Sequence, residues 1–376
     1  MKKSRVLLVG LTALGLVLVT PAMASAGQRS APAPDPVVKS DQVVAPFNLD
    51  LTRKAVYVAD GFTNTVGTLA ADGSITPAIA PAPGAAGIAA SRNGRTTAFT
   101  TTDGAGPGEI TASGLNLWGP RGSKVYADTF AYEHAHNPDG HVAYGVENPS
   151  QCVTDTLTTA GLPVSYTGIL DSHAYAVAEF GSKWVVADAG ANALFVVDRR
   201  GKIRTLTVFP AQPATITAEM AAALGLDDCV VGTTYRFEAV PTDVEVGRDG
   251  WLYVTTLPGG PETPAAGARG ALWKVSPWTG KAKRIAGGFL GATNLAVGLR
   301  GEIYVTEYFA GVVSVVKKGK KAHYLDLVNV VAIESDSRGS LWAGTTISLD
   351  PSAPQVPGTI VQIVDGTSQH KWPFRR

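Results

Sequence analysis

The chain has 376 residues, a formal net charge of +1 and 17% charged residues. That near-neutral balance leaves no electrostatic footprint for nucleic acid or anionic lipid. The length would allow two domains, but a single large all-β domain is also common at this size.

Residues 1–26 read as a signal peptide. Lys2, Lys3 and Arg5 supply positive charge, Val6 to Thr20 is an uncharged apolar stretch, and Ala24-Ser25-Ala26 offers small residues for cleavage before Gly27. The stretch is short of the roughly 20 apolar residues a membrane span needs, and no second one follows near the C-terminus. No cysteine follows to carry a lipid. Cleavage leaves 29 basic against 31 acidic residues. Residues 27–42 are rich in Pro, Ala and Ser and read as a linker, with residues 43–376 as one domain.

That domain repeats itself. An apolar run, a Gly-ended turn, a second apolar run, a loop and two further runs recur along the chain. The leading run appears as "AAGIAASRNG", "SHAYAVAEFGS", "PTDVEVGRDG", "ATNLAVGLRG" and "NVVAIESDSRG". The second run is centred on Tyr57, Ala98, Val185, Tyr253, Tyr304 and Trp342. Four short strands joined by hairpin turns form a meander. The spacings of 41, 87, 68, 51 and 38 bracket the ~40–45 residues of a propeller blade. The second runs are almost continuously apolar, as expected of a strand covered on both faces by neighbouring blades. The fold class predicted is all-β, a β-propeller of four-stranded blades. We count six blades; the interval of 87 leaves room for a seventh, since "DGHVAYGV" from Asp139 is a faint copy of "DGWLYVTT". A β-sandwich would not explain the regular four-strand units.

Two short helices are predicted in insertions, one within "DTFAYEHAHNPDG" capped by Asp128, one within "TAEMAAALG" capped by Thr217. "KKGKK", Lys317 to Lys321, reads as a charged turn between strands. Cys152 and Cys229 are the only cysteines; an even count in an exported chain points to a disulfide closing a loop of 77 residues.

With these residues in view, "KWVVADAGANALFVVDRRGKI", "VPTDVEVGRDGWLYVTTLPGG" and the upstream "NPDG" resemble the ScyD/ScyE family, exported proteins related to NHL-repeat propellers. The resemblance spans roughly residues 45 to 365. It implies the fold and the export, and no defined reaction. Where Ser-Asn-Pro-Tyr is the expected pattern, this chain has Ser172-His173-Ala174-Tyr175.

Propeller chemistry gathers at one channel mouth, on the loops that lead into the innermost strands. The polar residues there are His173, Thr242, Asp243, Asn294 and Asn329, with Glu238 just upstream. Such groups suit one hard cation such as calcium, with His173 or Glu238 as a base in a lactonase or lyase. Their positions are not aligned from blade to blade, which favours closing turns and capping strand ends. His134, His136 and His141 lie within eight residues and are candidate metal ligands. In a helix, however, His134 and His136 point about 200° apart. Trp118, Trp273 and Trp278 are candidate rim residues. No Gly-x-Ser-x-Gly elbow, HExxH or phosphate loop is present, and the His and Glu set of a streptogramin-lyase propeller is not evident. The sequence therefore predicts a secreted, monomeric propeller that binds a small molecule, glycan or protein at its channel mouth. A metal-dependent lactonase or lyase and a cell-surface interaction scaffold are the alternatives.

Overall fold

The computed structural model describes residues 35–104, 109–348 and 356–364. The signal peptide read over residues 1–26 lies outside them, as do residues 27–34 and the C-terminal twelve.

Among the described residues, strands form seven four-stranded antiparallel sheets. Sheet 1 contains Pro46–Leu51, Val56–Asp60, Thr65–Leu69 and Ile75–Ile79 in that order. Sheet 2 contains Ile88–Ala90, Thr97–Gly104, Ile110–Trp118 and Lys124–Asp128. Sheet 3 is Ala174–Phe180, Lys183–Asp188, Ala193–Val197 and Ile203–Val208. Sheet 4 is Pro241–Val246, Leu252–Thr256, Gly270–Val275 and Ala282–Phe289. Sheet 5 is Ala292–Val297, Ile303–Glu307, Val312–Lys317 and Lys320–Asp326. Sheet 6 runs from Val330–Ser335 through Leu341–Thr345 and Gly358–Val364 to an outer strand, Asp35–Val43, from the other end of the chain.

These six sheets close a ring, and the core shows it. Ala59 and Val66 of sheet 1 share an apolar cluster with Ile88 and Phe99 of sheet 2. Leu115 and Leu117 of sheet 2 meet Val186 and Phe195 of sheet 3. Val185 and Leu194 meet Val244 and Leu252 of sheet 4, and Leu272 meets Leu295 and Val305 of sheet 5. Val313 meets Ile333 and Val361 of sheet 6. Trp342 and Ile360 of sheet 6 return to Leu49 and Val58 of sheet 1. Each sheet thus buries both faces, and each fully buried Val, Leu or Phe contributes about 1.5–3 kcal/mol. This is why the second strands lack alternation: Trp184 to Asp188 are all buried.

The seventh sheet stands apart from that ring of clusters. It pairs Ser165–Thr167, Ala143–Val146, Thr234–Phe237 and Gln212–Thr215, drawn from two insertions on either side of sheet 3. Helix α1 (Thr129–His136) precedes it in the chain. With helices α2 (Gln151–Thr159) and α3 (Ala218–Ala223) the sheet encloses its own core, including Val153, Leu157, Met220 and Phe237. Cys152 and Cys229 are joined by a disulfide within this module. The sheet count is therefore seven, the number the sequence left room for beside the six counted from it. The "DGHVAYGV" segment supplies one strand of the extra sheet, while six sheets share the ring interfaces.

The assignment of residues 27–42 to a linker also needs correction. Asp35 to Val43 pair with Gly358 to Val364, so the linker reading fails for residues 35–42. Pro36 is tolerated there because an outermost strand needs no donor on its solvent side. The two predicted helices are present, with Asp128 Oδ1 accepting from Ala131 N and the Thr217 side chain from Met220 N. Lys318 and Gly319 form the turn of the "KKGKK" hairpin, both at positive φ.

Candidate functional site

The first strands of the six ring sheets stand side by side without backbone hydrogen bonds between them, so side chains must satisfy the exposed N–H groups. In Pro46-Phe47-Asn48, Pro241-Thr242-Asp243 and Ala292-Thr293-Asn294, the third residue does this. Asn48 Oδ1 accepts from Ile88 N at 3.4 Å, Asp243 Oδ2 from Leu295 N at 2.8 Å, and Asn294 Oδ1 from Ile333 N at 2.8 Å. Sheet 2 has Gly87 at this level, and no larger residue fits: an added Cβ would lie 2.7 Å from Ala176 Cα of sheet 3. Asp243 and Asn294, predicted as mouth residues, are thus buried blade-to-blade links. One atom of each, Asp243 Oδ1 and Asn294 Nδ2, has no partner in the structure.

A second set of carboxylates ties down the loops that enter the first strands. Asp60 accepts from Val44 N and Ala45 N, Asp188 from His173 N and Ser172 Oγ, and Glu307 from Leu290 N. Each ends the second strand of its sheet. Burial raises Asp188 to about 6, offset by the hydroxyl and amides it accepts from. The same loops place Val240 and Asn329 at φ values of 50° and 59°. Asn tolerates that left-handed conformation; for a β-branched Val it costs about 1–2 kcal/mol. Val240 N–H donates to Asn192 Oδ1 at 2.9 Å, which helps to hold it there.

Above these links the second residue of each tripeptide faces the mouth. Phe47, Tyr175, Thr242, Thr293 and Val331 line a cavity of about 310 Å³, joined by loop residues that include Phe62, Tyr308, Phe309 and Glu262. Phe47 stands edge-on to Phe62 at 5.7 Å and 6.2 Å from Tyr175, which meets the His173 ring at 5.5 Å. Tyr308 and Phe309 lie 5.3 Å apart in the loop of sheet 5. Burial lowers His173 despite Asp171 and Glu262 nearby, so its imidazole is neutral at pH 7. Burial raises Tyr175, helped by Glu262 and Asp243, so it remains a phenol donor.

Two residues further along the first strands, Asp50, Glu245 and Glu334 converge in the channel. They keep part of their surface toward the lumen while protein surrounds them on every side. Burial raises all three, Asp50 to about 6; repulsion from Glu179 adds to it at Asp50, and repulsion from Asp50 and Asp243 adds to it at Glu245 and Glu334. Glu245 and Glu334 lie within hydrogen-bonding reach of each other, a pairing that one shared proton would stabilise. The sequence reading missed these three. Their signal was an acid inside an otherwise apolar first strand, as in "NLDL", "DVEV" and "AIES".

The remaining predicted residues lie elsewhere. Asn329 serves a left-handed turn, its carbonyl accepting from Thr346 N. Glu238 lines a separate cavity in the seventh-sheet module. His134 and His136 sit on helix α1, with each Nδ1 hydrogen-bonded to a carbonyl four residues back; the His136 ring stacks on Tyr132 and the His134 ring lies tilted against Phe130. They do not converge with His141: among the described residues, no three His, Cys, Asp or Glu side chains gather as one metal ion would need. Trp273 is core, 7% exposed, donating to Thr256 Oγ1; Trp278 is 66% exposed.

No protein-family model matches the chain, and no curated protein matches it. Solved structures do. A protein assigned as an oxidoreductase (glucose dehydrogenase) from Thermus thermophilus superposes with a TM-score of 0.52 at 10% identity, covering 88% of this chain and 100% of that one. The PQQ-bound aldose sugar dehydrogenase from Streptomyces coelicolor gives 0.50 at 12% identity, over 89% and 99%. Virginiamycin B lyase from Staphylococcus aureus gives 0.48 at 13% identity, over 88% and 99%. At these identities the likeness is one of fold, and the fold is a β-propeller.

Proposed function

We propose that this protein is an exported β-propeller of the ScyD/ScyE type that holds a small, ring-bearing polar molecule at its channel mouth. The observation that carries this reading is the collar of Phe47, Phe62, Tyr175, Tyr308 and Phe309 around a floor of Thr242, Thr293 and His173. Aromatic faces contribute apolar area at low entropic cost, and a few convergent polar groups fix orientation. A sugar ring, apolar on its faces and hydroxylated at its edge, suits that combination. Export follows from the leader, and the disulfide is compatible with an oxidising compartment.

Saturation-transfer NMR with a panel of phenyl glycosides tests the reading. Transfer to the native protein that is lost in both Tyr175→Ala and Phe309→Ala, with unchanged melting, supports it. No transfer from any glycoside, or transfer unaffected by both substitutions, overturns it. N-terminal sequencing of the secreted protein should begin at Gly27.

A further inference from the structure

A second apolar cavity lies away from the channel. It lies in the seventh-sheet module and encloses about 380 Å³. Leu157 of α2, Met220 of α3, Leu224 just past its C-terminus, and Ile216 form its apolar walls, and Ile169 stands at its lining 57% exposed. A 150 Å³ apolar cavity holds benzene, so this one has room for about 15 heavy atoms.

Its chemistry is lopsided. One carboxylate, Glu238, lines a space that is otherwise almost wholly apolar. The Tyr166 hydroxyl lies within hydrogen-bonding reach of Glu238 and of Tyr235, whose own hydroxyl donates to Pro163 O at 2.8 Å. No ion pair to Glu238 is present among the described residues. The nearby Arg269 is turned to Gly259 O and Pro261 O and lies over the Phe237 ring. The charges that act on Glu238 come from Asp139 and Asp171, both negative. A half-buried carboxylate among like charges, its hydrogen bonds coming only from the neutral Tyr166 and Asn192 side chains, is stabilised by a cation. Aromatic rings at Tyr166 and Tyr235 favour the same partner.

We infer that this module is a second binding site, for a small apolar molecule carrying one basic nitrogen. The alkyl or aryl body fills the Leu157, Ile216, Met220 and Leu224 end, and the protonated amine meets Glu238 beside Tyr166. The site is independent of the channel mouth, although the loop after sheet 4's second strand borders both, with Gly259 and Pro261 here and Leu257 and Glu262 there. A fatty acid would bring its carboxylate against Glu238 and is disfavoured.

Calorimetric titration of the intact secreted protein with n-decylamine, n-decanol and n-decanoate tests this. The expected result is one decylamine per chain, bound at least about tenfold more tightly than decanol or decanoate. Glu238→Gln should abolish most of that preference while leaving an apolar contribution common to all three probes. Leu224→Trp should fill the cavity and remove binding, with Met220→Trp as a second filler should the first fail to fold. Phe309→Ala, at the channel mouth, should leave decylamine binding unchanged. Absence of decylamine binding, equal or tighter binding of decanol or decanoate, an unchanged preference in Glu238→Gln, survival of binding in a folded filled-cavity variant, or its loss in Phe309→Ala would each overturn the inference.

Discussion

Asp243 Oδ2 accepts the backbone N–H of Leu295, 2.8 Å away on the first strand of the next sheet. Asn48 and Asn294 make the equivalent bond at their own junctions, so an acceptor is needed there and a charge is not. Asp243→Ala strands a buried N–H and should cost about 1–3 kcal/mol. Asp243→Asn keeps the acceptor. Burial raises the carboxyl from its ordinary 3.8 to about 7, so the folded state holds a proton that the unfolded chain releases. That group's contribution is fully present below pH 4 and is lost as pH rises through 7. Urea unfolding should therefore find Asp243→Asn close to the parent at pH 4.5 and more stable at pH 8. Equal losses for Asn and Ala at pH 8 would contradict the linking role.

Glu133 gives a stronger case of the same sign. It is fully buried on α1, and neither carboxylate oxygen has a partner. Burial, then repulsion from Asp188, Asp139 and Asp171, raises it from 4.5 to about 8. The folded protein should lose stability from this group between pH 4.5 and 8 and level off above. Glu133→Gln should remove the loss, gaining about 1–3 kcal/mol at pH 9 and little at pH 4.5. A parent and variant with parallel stability curves across this range would show that Glu133 is ionised and compensated.

The repeat was readable because blade packing writes the same demand six times. Strands buried on both faces must be continuously apolar, and tight hairpins must end in Gly. Val185, Tyr253, Tyr304 and Trp342 accordingly lie in second strands. The seventh sheet was harder to see because its strands come in two pairs, within 143–167 and 212–237, with all of sheet 3 between them. Residues 35–42 read as linker because composition does not reveal a partner more than 300 positions away. At the mouth, the sequence reading weighted the polar residues of the loops that enter the first strands. The structure turns Asp243 and Asn294 into the wall and leaves the aromatic rings facing the cavity, a choice set by the bulge that follows Pro241 and Ala292.

The Cys152–Cys229 bond closes a 77-residue span and holds α2 to the turn Asp228–Val230. Chain-entropy reasoning gives it about 4 kcal/mol. Reduction or Cys152→Ser with Cys229→Ser should lower the melting temperature and weaken decylamine binding, since Leu157 lies on the tethered helix. Non-reducing peptide mapping should recover the two cysteines in one linked species. Two alkylatable thiols in the purified native protein would rule the bond out.

Ring closure depends on Asp35–Val43. This strand supplies the fourth position of sheet 6, from Asp35 opposite Val364 to Val43 opposite Gly358. Val43 is 5% exposed and shares a cluster with Leu49 and Val58 of sheet 1 and Trp342 and Ile360 of sheet 6. It therefore closes the junction between the first and last sheets as well as pairing an edge. A chain beginning at Val44 would leave Gly358–Val364 as an unpaired apolar edge, a template for association. Val43→Asp would keep the backbone pairing and place an unpaired charge in the cluster. The deletion should lower the urea midpoint and produce oligomers by light scattering; Val43→Asp should cost about 2–4 kcal/mol with less association. Unchanged unfolding of both, or a deletion that stays monodisperse and fully stable, would mean that three strands suffice to close the ring.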